Sequence, residues 1–124
     1  MDLNFDSEKP IYLQIADQIE EAIFVGSFKE ETQIPSTTEL STTFKINPAT
    51  VLKGMNLLVD RNIIYKKRGV GMFVCEGAVD IVRKNRENNF YDNYIKSIVD
   101  EAKKLNLKKD DIISLIERGF KDEH

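Results

Sequence analysis

Hydroxyl, amide and basic side chains are grouped at three places in the middle of the chain. These groups are Ser36-Thr37-Thr38, then Asn47-Pro48-Ala49-Thr50 with Lys53, and then Lys66-Lys67-Arg68-Gly69-Val70-Gly71. Hydroxyl and amide groups donate hydrogen bonds to phosphate oxygens, and Lys and Arg neutralise phosphate charge. The three groups therefore have the chemistry to bind a polyanion such as double-stranded DNA.

The sequence contains few candidate catalytic residues. The single histidine is His124, the last residue, which is a poor position for a general base. No spacing of Cys, His, Asp and Glu in the sequence matches a metal site, and there is no Walker-type glycine-rich loop. Asp110-Asp111 stands at a predicted helix start, where carboxylates complement the helix dipole. The sequence argues against an enzyme and predicts no metal or other cofactor.

Helix-start signals position the first two groups. Ser36 and Glu39 have the spacing of a capping box, in which the hydroxyl and the carboxylate each bond a backbone amide of the first turn. Asn47 is a good N-cap and Pro48 a good first helical residue. The sequence therefore predicts a short helix after Ser36 and a second helix from Asn47 to about residue 60.

A β-hairpin is predicted for the third group. β-rich runs at residues 63–67 and 72–75 flank Arg68-Gly69-Val70-Gly71, and glycines between two such runs indicate a tight turn. The basic side chains Lys66, Lys67 and Arg68 are then expected at or beside the tip of the hairpin.

A longer helix is predicted upstream. Apolar residues recur at helical spacing from Ile11 to Ile23, Pro10 suits the helix start, and Gly26 suits its end because glycine adopts positive φ. Residues 27–34 are predicted to form a loop. Leu3 and Phe5 are expected to dock onto the core ahead of this helix.

A second apolar pattern follows the hairpin. It runs at helical spacing to Leu105, is interrupted at Asn106, and resumes in a last helix that starts at about Lys109. A stripe of this size is not left in water, so it packs on the rest of its own chain or on a second copy. The residues assigned to pairing of two copies are Tyr91, Tyr94, Ile95, Ile98, Val99, Ala102, Leu105, Ile112, Ile113, Ile116 and Phe120.

Two helices followed by a basic hairpin is the element order of a winged helix-turn-helix. The expected fold class is mainly α with a small β-hairpin wing, with the winged domain at residues 1–76 and a two-helix dimerisation tail at 77–124. In such a motif the second helix lies in the major groove and the first braces it against the DNA backbone. The residues assigned to DNA contact are Ser36, Thr37, Thr38, Asn47, Pro48, Ala49, Thr50, Lys53, Lys66, Lys67, Arg68, Gly69 and Gly71.

The bulk properties are compatible with this interpretation. The formal net charge of -3 over 124 residues counts only weakly against DNA as a partner, because local charge decides the contact surface. The single cysteine, Cys75, cannot form an internal disulfide, which favours a reducing compartment, and it is expected to be a small packing residue. No apolar run is long enough to span a membrane or resembles a secretion signal. A cytoplasmic location without a membrane partner is expected.

Residues Pro10 to Val74 resemble the N-terminal domain of GntR-type bacterial transcription regulators. The short tail and the Asn47-Pro-x-Thr-Val form resemble the YtrA-like branch in particular, which implies a homodimer that represses its own operon, often one encoding an ABC transporter. The matching residues are Pro10-Ile-Tyr-Leu-Gln-Ile, Ile19, Ile23, Gly26, Phe28, Ile34-Pro-Ser, Glu39-Leu40, Phe44, Ile46-Asn47, Thr50-Val51, Leu58, Ile63-Ile64 and Gly69-Val-Gly-Met-Phe-Val.

The chain also departs from the pattern of that family. Thr38 stands where the family usually carries an arginine that reads a base, and many members place an arginine at the positions of Pro48 or Leu52. These departures shift base reading to Lys53, the helix N-terminus and the wing, and they predict an operator less centred on guanine.

Two questions stay open in the sequence. A small-molecule effector is not identified, although Arg83, Arg86, Phe90, Tyr91 and Tyr94 are candidates to line a site for one. The alternative function is a winged-helix module that binds a protein partner and no operator.

Overall fold

The structure is a computed structural model that describes residues 3–122, so His124 lies outside the described part. It divides into two compact units, an N-terminal unit up to Asn85 and a C-terminal unit from Arg86. Its elements are α1 (Ile11–Phe24), α2 (Thr37–Phe44), α3 (Pro48–Asp60), β1 (Ile64–Lys67), β2 (Gly71–Val74), α4 (Ala78–Asn88), a π-helical segment (Tyr91–Ile95), α5 (Lys96–Lys104) and α6 (Lys109–Lys121).

This element order confirms the predicted fold class. The described chain is mainly helical, and β1 and β2 pair as an antiparallel hairpin, which we call the wing together with the turn between them. None of the described helices is both long enough and apolar enough to cross a bilayer.

The core of the N-terminal unit forms where α1 packs on α3. A Cβ added to Gly54 would lie 2.7 Å from the backbone oxygen of Tyr12, so the glycine permits the close approach of the two helices. Each helix buries side chains about one turn apart, which is the pattern of an amphipathic helix. The buried residues of the two helices are Ile15, Ala16, Ile19, Ile23, Val51, Gly54, Met55 and Leu58.

The two predicted helix starts are confirmed. The Glu39 amide donates to Ser36 Oγ at 3.0 Å, and the Ser36 amide donates to Glu39 Oε1 at 3.4 Å. The Ala49 amide donates to Asn47 Oδ1 at 2.8 Å, with Pro48 as the first helical residue. Local side-chain contacts of this kind fix where a helix begins.

The wing follows α3 directly. Asn62 ends the turn after α3 with a φ of 61°, and the strand register runs from the pair Ile64 and Val74 to the pair Lys67 and Gly71. Ile64 and Val74 are buried, which ties the base of the wing to the core.

Residues 31–34 lie in the predicted loop and also pair with β2. The Ile34 amide donates to the Met72 oxygen at 2.9 Å, and the Val74 amide donates to the Thr32 oxygen at 3.0 Å. Gln33 forms an isolated β-bridge with Phe73. The segment therefore bonds to one edge of the wing without forming a strand of its own. Its pairing is with residues far along the chain, so its own polar sequence gives no strand signal.

The start of α4 belongs to the N-terminal unit. Ala78 and Val82 are fully buried in the core of this unit. The Glu30 carboxylate accepts hydrogen bonds from the amides of Gly77, at 2.8 Å, and Val79, at 3.0 Å. The compact unit thus extends past residue 76, where the sequence analysis ends the winged domain.

The segment before α1 differs from expectation at one side chain. Phe5, which was expected to dock onto the core, is 66% exposed. An isolated apolar residue within a polar segment carries no periodic signal that distinguishes a docked from an exposed position.

The C-terminal unit contains the tail helices. The predicted long helix is interrupted by the π-helical segment, and the break at Asn106 occurs as predicted, with a φ of 56°. The Lys108 amide donates to Asp111 Oδ2 at 2.8 Å, so a carboxylate caps the start of α6.

Candidate DNA-binding surface

The exposed face of α3 is a continuous strip. Pro48, Ala49 and Lys53 were assigned to DNA contact, and all three are exposed. Leu52, at 48% exposure, and Asn56 are exposed on the same face. Sequence reasoning missed Leu52 and Asn56, although their spacing of three and seven residues from Ala49 places them on one side of a helix.

Lys53 is oriented by a residue of α1. Its Nζ atom lies 4.1 Å from the centre of the Tyr12 ring, within the range of a cation–π contact. Tyr12 itself is half-buried. The ring therefore limits the positions that the lysine ammonium can take on the α3 surface.

The N-terminal ends of α2 and α3 combine capping groups with donors. Ser36 Oγ and Asn47 Oδ1 act as acceptors in the caps, which leaves the hydroxyl proton and the amide N–H groups for other partners. Thr38 is exposed, whereas Thr37 and Thr50 are half-buried. This arrangement is suited to donating hydrogen bonds to phosphate oxygens.

The wing carries an exposed basic tip. Lys66, Lys67 and Arg68 are all exposed. The Lys67 Nζ atom lies 5.2 Å from the centre of the Phe73 ring, and that ring stacks on Tyr65 at 5.8 Å between centres. The aromatic pair supports one face of the wing beneath the lysine.

Gln33 braces the tip of the wing. Its Nε2 atom donates to the Val70 oxygen at 2.9 Å. Gly71 has a φ of +145°, and a Cβ at this position would lie 2.4 Å from Gln33 Nε2. Gly71 was assigned to DNA contact, and the structure gives it a further role, because only glycine leaves room for the glutamine in that conformation.

Most of the residues assigned to pairing of two copies are exposed on the C-terminal unit. Ile95 and Ile112 are half-buried, and the eight larger side chains, Tyr91, Tyr94, Ile98, Val99, Leu105, Ile113, Ile116 and Phe120, are between 40% and 89% exposed. Ala102 is an exception, because it is only 7% exposed within the described chain. Ala102 is covered by its own chain, and its assignment to pairing stays a prediction.

The candidate effector residues contact side chains of their own chain. Arg83 forms an ion pair with Asp80, with 2.6 Å between nitrogen and oxygen, and its guanidinium lies 5.8 Å from the Phe24 ring centre. The rings of Phe90 and Tyr94 lie 5.3 Å apart. These contacts fit a structural role and do not by themselves define a ligand site.

Cys75 follows β2 and is half-buried against the core. Burial raises the pKa of its thiol, because desolvation disfavours the thiolate. Since the thiolate is the reactive form, this agrees with the expected packing role.

Comparison with known proteins identifies the family. The model described as "Bacterial regulatory proteins, gntR family" matches residues 11–74. YhcF, an uncharacterised HTH-type transcriptional regulator of Bacillus subtilis strain 168, is 31% identical over 115 residues, which are 91% of this chain and 92% of YhcF. The HTH-type transcriptional repressor YtrA of the same strain is 39% identical over 72 residues, which are 58% of this chain and 55% of YtrA.

A solved structure extends the similarity beyond the winged part. The crystal structure of a transcriptional regulator of the GntR family from Bacteroides thetaiotaomicron is 32% identical, with a TM-score of 0.73. The match covers 89% of this chain and 96% of that chain.

The comparisons confirm the resemblance seen in the sequence, including its similarity to YtrA, and the prediction that the protein is a regulator and not an enzyme. The matched residues 11–74 contain α1, α2, α3 and both strands of the wing. The chain belongs to the GntR family of bacterial transcription regulators, and its winged helix-turn-helix is the DNA-binding part.

Proposed function

We propose that the protein is a homodimeric repressor that acts in the cytoplasm on an inverted-repeat operator. The observation that carries this proposal is the combination, within the N-terminal unit, of an exposed α3 face with a braced, basic wing. The similar protein YtrA is named a transcriptional repressor, which supports repression as the mode of action. The target we propose is a transporter operon, as the resemblance of the sequence to the YtrA-like branch implies.

Each part of the surface has a distinct role in this proposal. The exposed residues of α3 read base edges in the major groove, where each base pair presents its own pattern of donors and acceptors. Ser36, Thr37 and Thr38 donate to phosphates from the start of α2. Lys66, Lys67 and Arg68 neutralise phosphates beside the neighbouring groove, and this contact makes the affinity sensitive to salt.

The C-terminal unit supplies the contact between two copies. Its large aromatic and aliphatic side chains are exposed, and exposed apolar patches mark interaction surfaces. Obligate homodimer interfaces resemble a protein core cut in half, which is the composition of this face. A dimer also provides the two half-site contacts that a single winged domain lacks.

Selection of DNA sequences from a random library with the purified protein tests the proposal. We expect an enriched inverted repeat, with an affinity that falls steeply with salt in an anisotropy titration, because several phosphates are neutralised on binding. The double variant Lys66→Glu/Arg68→Glu should lose most of this affinity while its circular dichroism and melting temperature are unchanged.

The alternative function gives a different result. If the protein is a winged-helix module for a protein partner, no duplex is enriched at low salt and the charge-reversed wing has no effect on DNA binding. A control variant, Lys29→Glu, reverses an exposed charge in the loop between α1 and α2 and should keep the affinity within about twofold, since one exposed charge contributes little.

A further inference from the structure

Leu52 is an apolar side chain at the centre of the α3 surface. It is 48% exposed and lies between Ala49 and Asn56 on the strip described above, beside Lys53. A single exposed leucine is ordinary on most protein surfaces. In this position it is unusual, because a recognition helix faces the polar edges of base pairs.

Leu52 is not required by the core. Val51 and Met55 lie on the neighbouring face of α3 and are fully buried, whereas Leu52 is turned about 100° away from Val51. Its substitution by a smaller residue should therefore leave the fold intact.

The helices of the motif offer little chemistry for reading guanine. Arg is the side chain that most often reads guanine, through paired bonds to O6 and N7. α2 and α3 contain no arginine, and Lys53 is their one basic residue.

We infer that Leu52 is a specificity-determining residue that contacts the C5 methyl group of a thymine in each operator half-site. The thymine methyl is the apolar group that base pairs present in the major groove. Against a G·C pair, Leu52 would displace the water that hydrogen-bonds to the polar base edges and would offer no hydrogen bond in return. This loss opposes binding. Leu52 therefore favours an A·T pair both by attraction and by rejection of the alternative. This inference rests on the proposed operator binding.

Replacing thymine by uracil tests the contact directly, because it removes the methyl group and keeps every hydrogen-bonding atom of the base. Each thymine of the selected operator is replaced in turn, and the dissociation constant is measured for the unaltered protein and for Leu52→Ala. We expect one thymine per half-site whose replacement weakens binding about fourfold, and about fifteenfold when both half-sites are changed, as for one buried methyl group each. Leu52→Ala should show no response to uracil at that position.

Two further variants separate the contact from general effects. Leu52→Met keeps an apolar side chain of similar volume and should retain the response to uracil. Val25→Ala truncates another exposed aliphatic side chain, just after α1, and should behave as the unaltered protein. The melting temperature of each variant shows that the fold is kept.

The possible failures are distinguishable. If selection enriches no duplex, the proposed operator binding is overturned and this inference falls with it. If a duplex is enriched but no thymine responds to uracil, or if Leu52→Ala responds as strongly as the unaltered protein, the inference alone is overturned.

Discussion

Lys53 shows how a single side chain on the DNA-binding surface depends on a neighbour in another helix. Its ammonium lies over the ring of Tyr12, which belongs to α1 and not to the helix-turn-helix pair. A flexible lysine loses rotamer entropy when it binds DNA, so a contact that restricts it beforehand lowers that cost. Tyr12 is thus a positioning residue for the α3 surface.

At the residue scale, Tyr12→Leu is predicted to weaken operator binding about two- to fivefold with little change in melting temperature. The leucine keeps apolar packing but removes the π face, and an exposed cation–π contact contributes about 0.5–1 kcal/mol. Anisotropy titrations measure the affinity. Tyr12→Phe retains the ring and should bind as the unaltered protein.

A double-mutant cycle decides whether Tyr12 acts through Lys53. In the Lys53→Met background, Tyr12→Leu should cause no further loss, because the coupling energy between the two residues is already removed. An equal loss in both backgrounds would show that the tyrosine affects binding by another route.

At the scale of elements, the two-stranded wing is supported by the segment at residues 31–34. Two-stranded hairpins are marginally stable in water, and this segment supplies additional backbone hydrogen bonds to β2. The same segment leads directly into the cap of α2 at Ser36. The wing and the start of α2 are therefore positioned by one short stretch of chain.

We predict that Gln33→Ala makes the wing tip more mobile and lowers operator affinity several-fold. The variant loses the bond to the Val70 oxygen, which contributes about 0.5–1.5 kcal/mol to stability. Faster hydrogen exchange at the Val70 amide, which bonds the Lys67 oxygen, is the direct measurement. The number of phosphate contacts is unchanged, so the salt dependence should keep its slope.

A matched control for this prediction is Thr32→Ala. It removes the hydrogen bond that Thr32 Oγ1 donates to the Lys29 oxygen, which is 2.6 Å long, and leaves the bond between Gln33 and Val70 in place. Exchange at Val70 should stay slow in this variant. Equal effects of the two substitutions on DNA binding would contradict a bracing role for Gln33.

At the scale of the whole molecule, the exposed apolar side chains of the C-terminal unit are the feature that a single chain does not account for. Ile98 and Ile116 are 40% and 45% exposed, although aliphatic residues at helical spacing normally face a core. In the proposed homodimer a second copy would cover these side chains and remove them from water.

The double variant Ile98→Asp/Ile116→Asp is predicted to be monomeric in light scattering and to bind the inverted repeat far more weakly than the unaltered protein. Burial of a carboxylate without a partner in an apolar interface costs several kcal/mol, on the order of 3–5 kcal/mol for an uncompensated charge. The N-terminal unit should remain folded, since neither residue belongs to it.

Lys103→Asp tests whether any new carboxylate on the tail has the same effect. Lys103 is exposed near the end of α5, and its replacement should leave the oligomeric state unchanged. A dimer in the double isoleucine variant would exclude this face as the interface.

Short-range chemistry made much of this protein readable from its sequence. The caps at Ser36 and Asn47, the break at Asn106 and the hairpin all depend on residues within a few positions of one another. Such contacts form in the same way wherever the segment lies, so local sequence specifies them. The order of these elements was sufficient to predict the winged helix-turn-helix, and the resemblance of residues Pro10 to Val74 indicated the family.

Tertiary structure decided the features that join distant residues. Gln33 meets Val70 across 37 positions, Glu30 caps α4 across 47 and 49 positions, and Lys53 meets Tyr12 between two helices. Burial of Ala102 and exposure of Leu52 likewise depend on which face of a helix the rest of the chain covers. Periodicity identifies an apolar face, but the contacts across it exist only after packing, and they position the proposed DNA-binding surface.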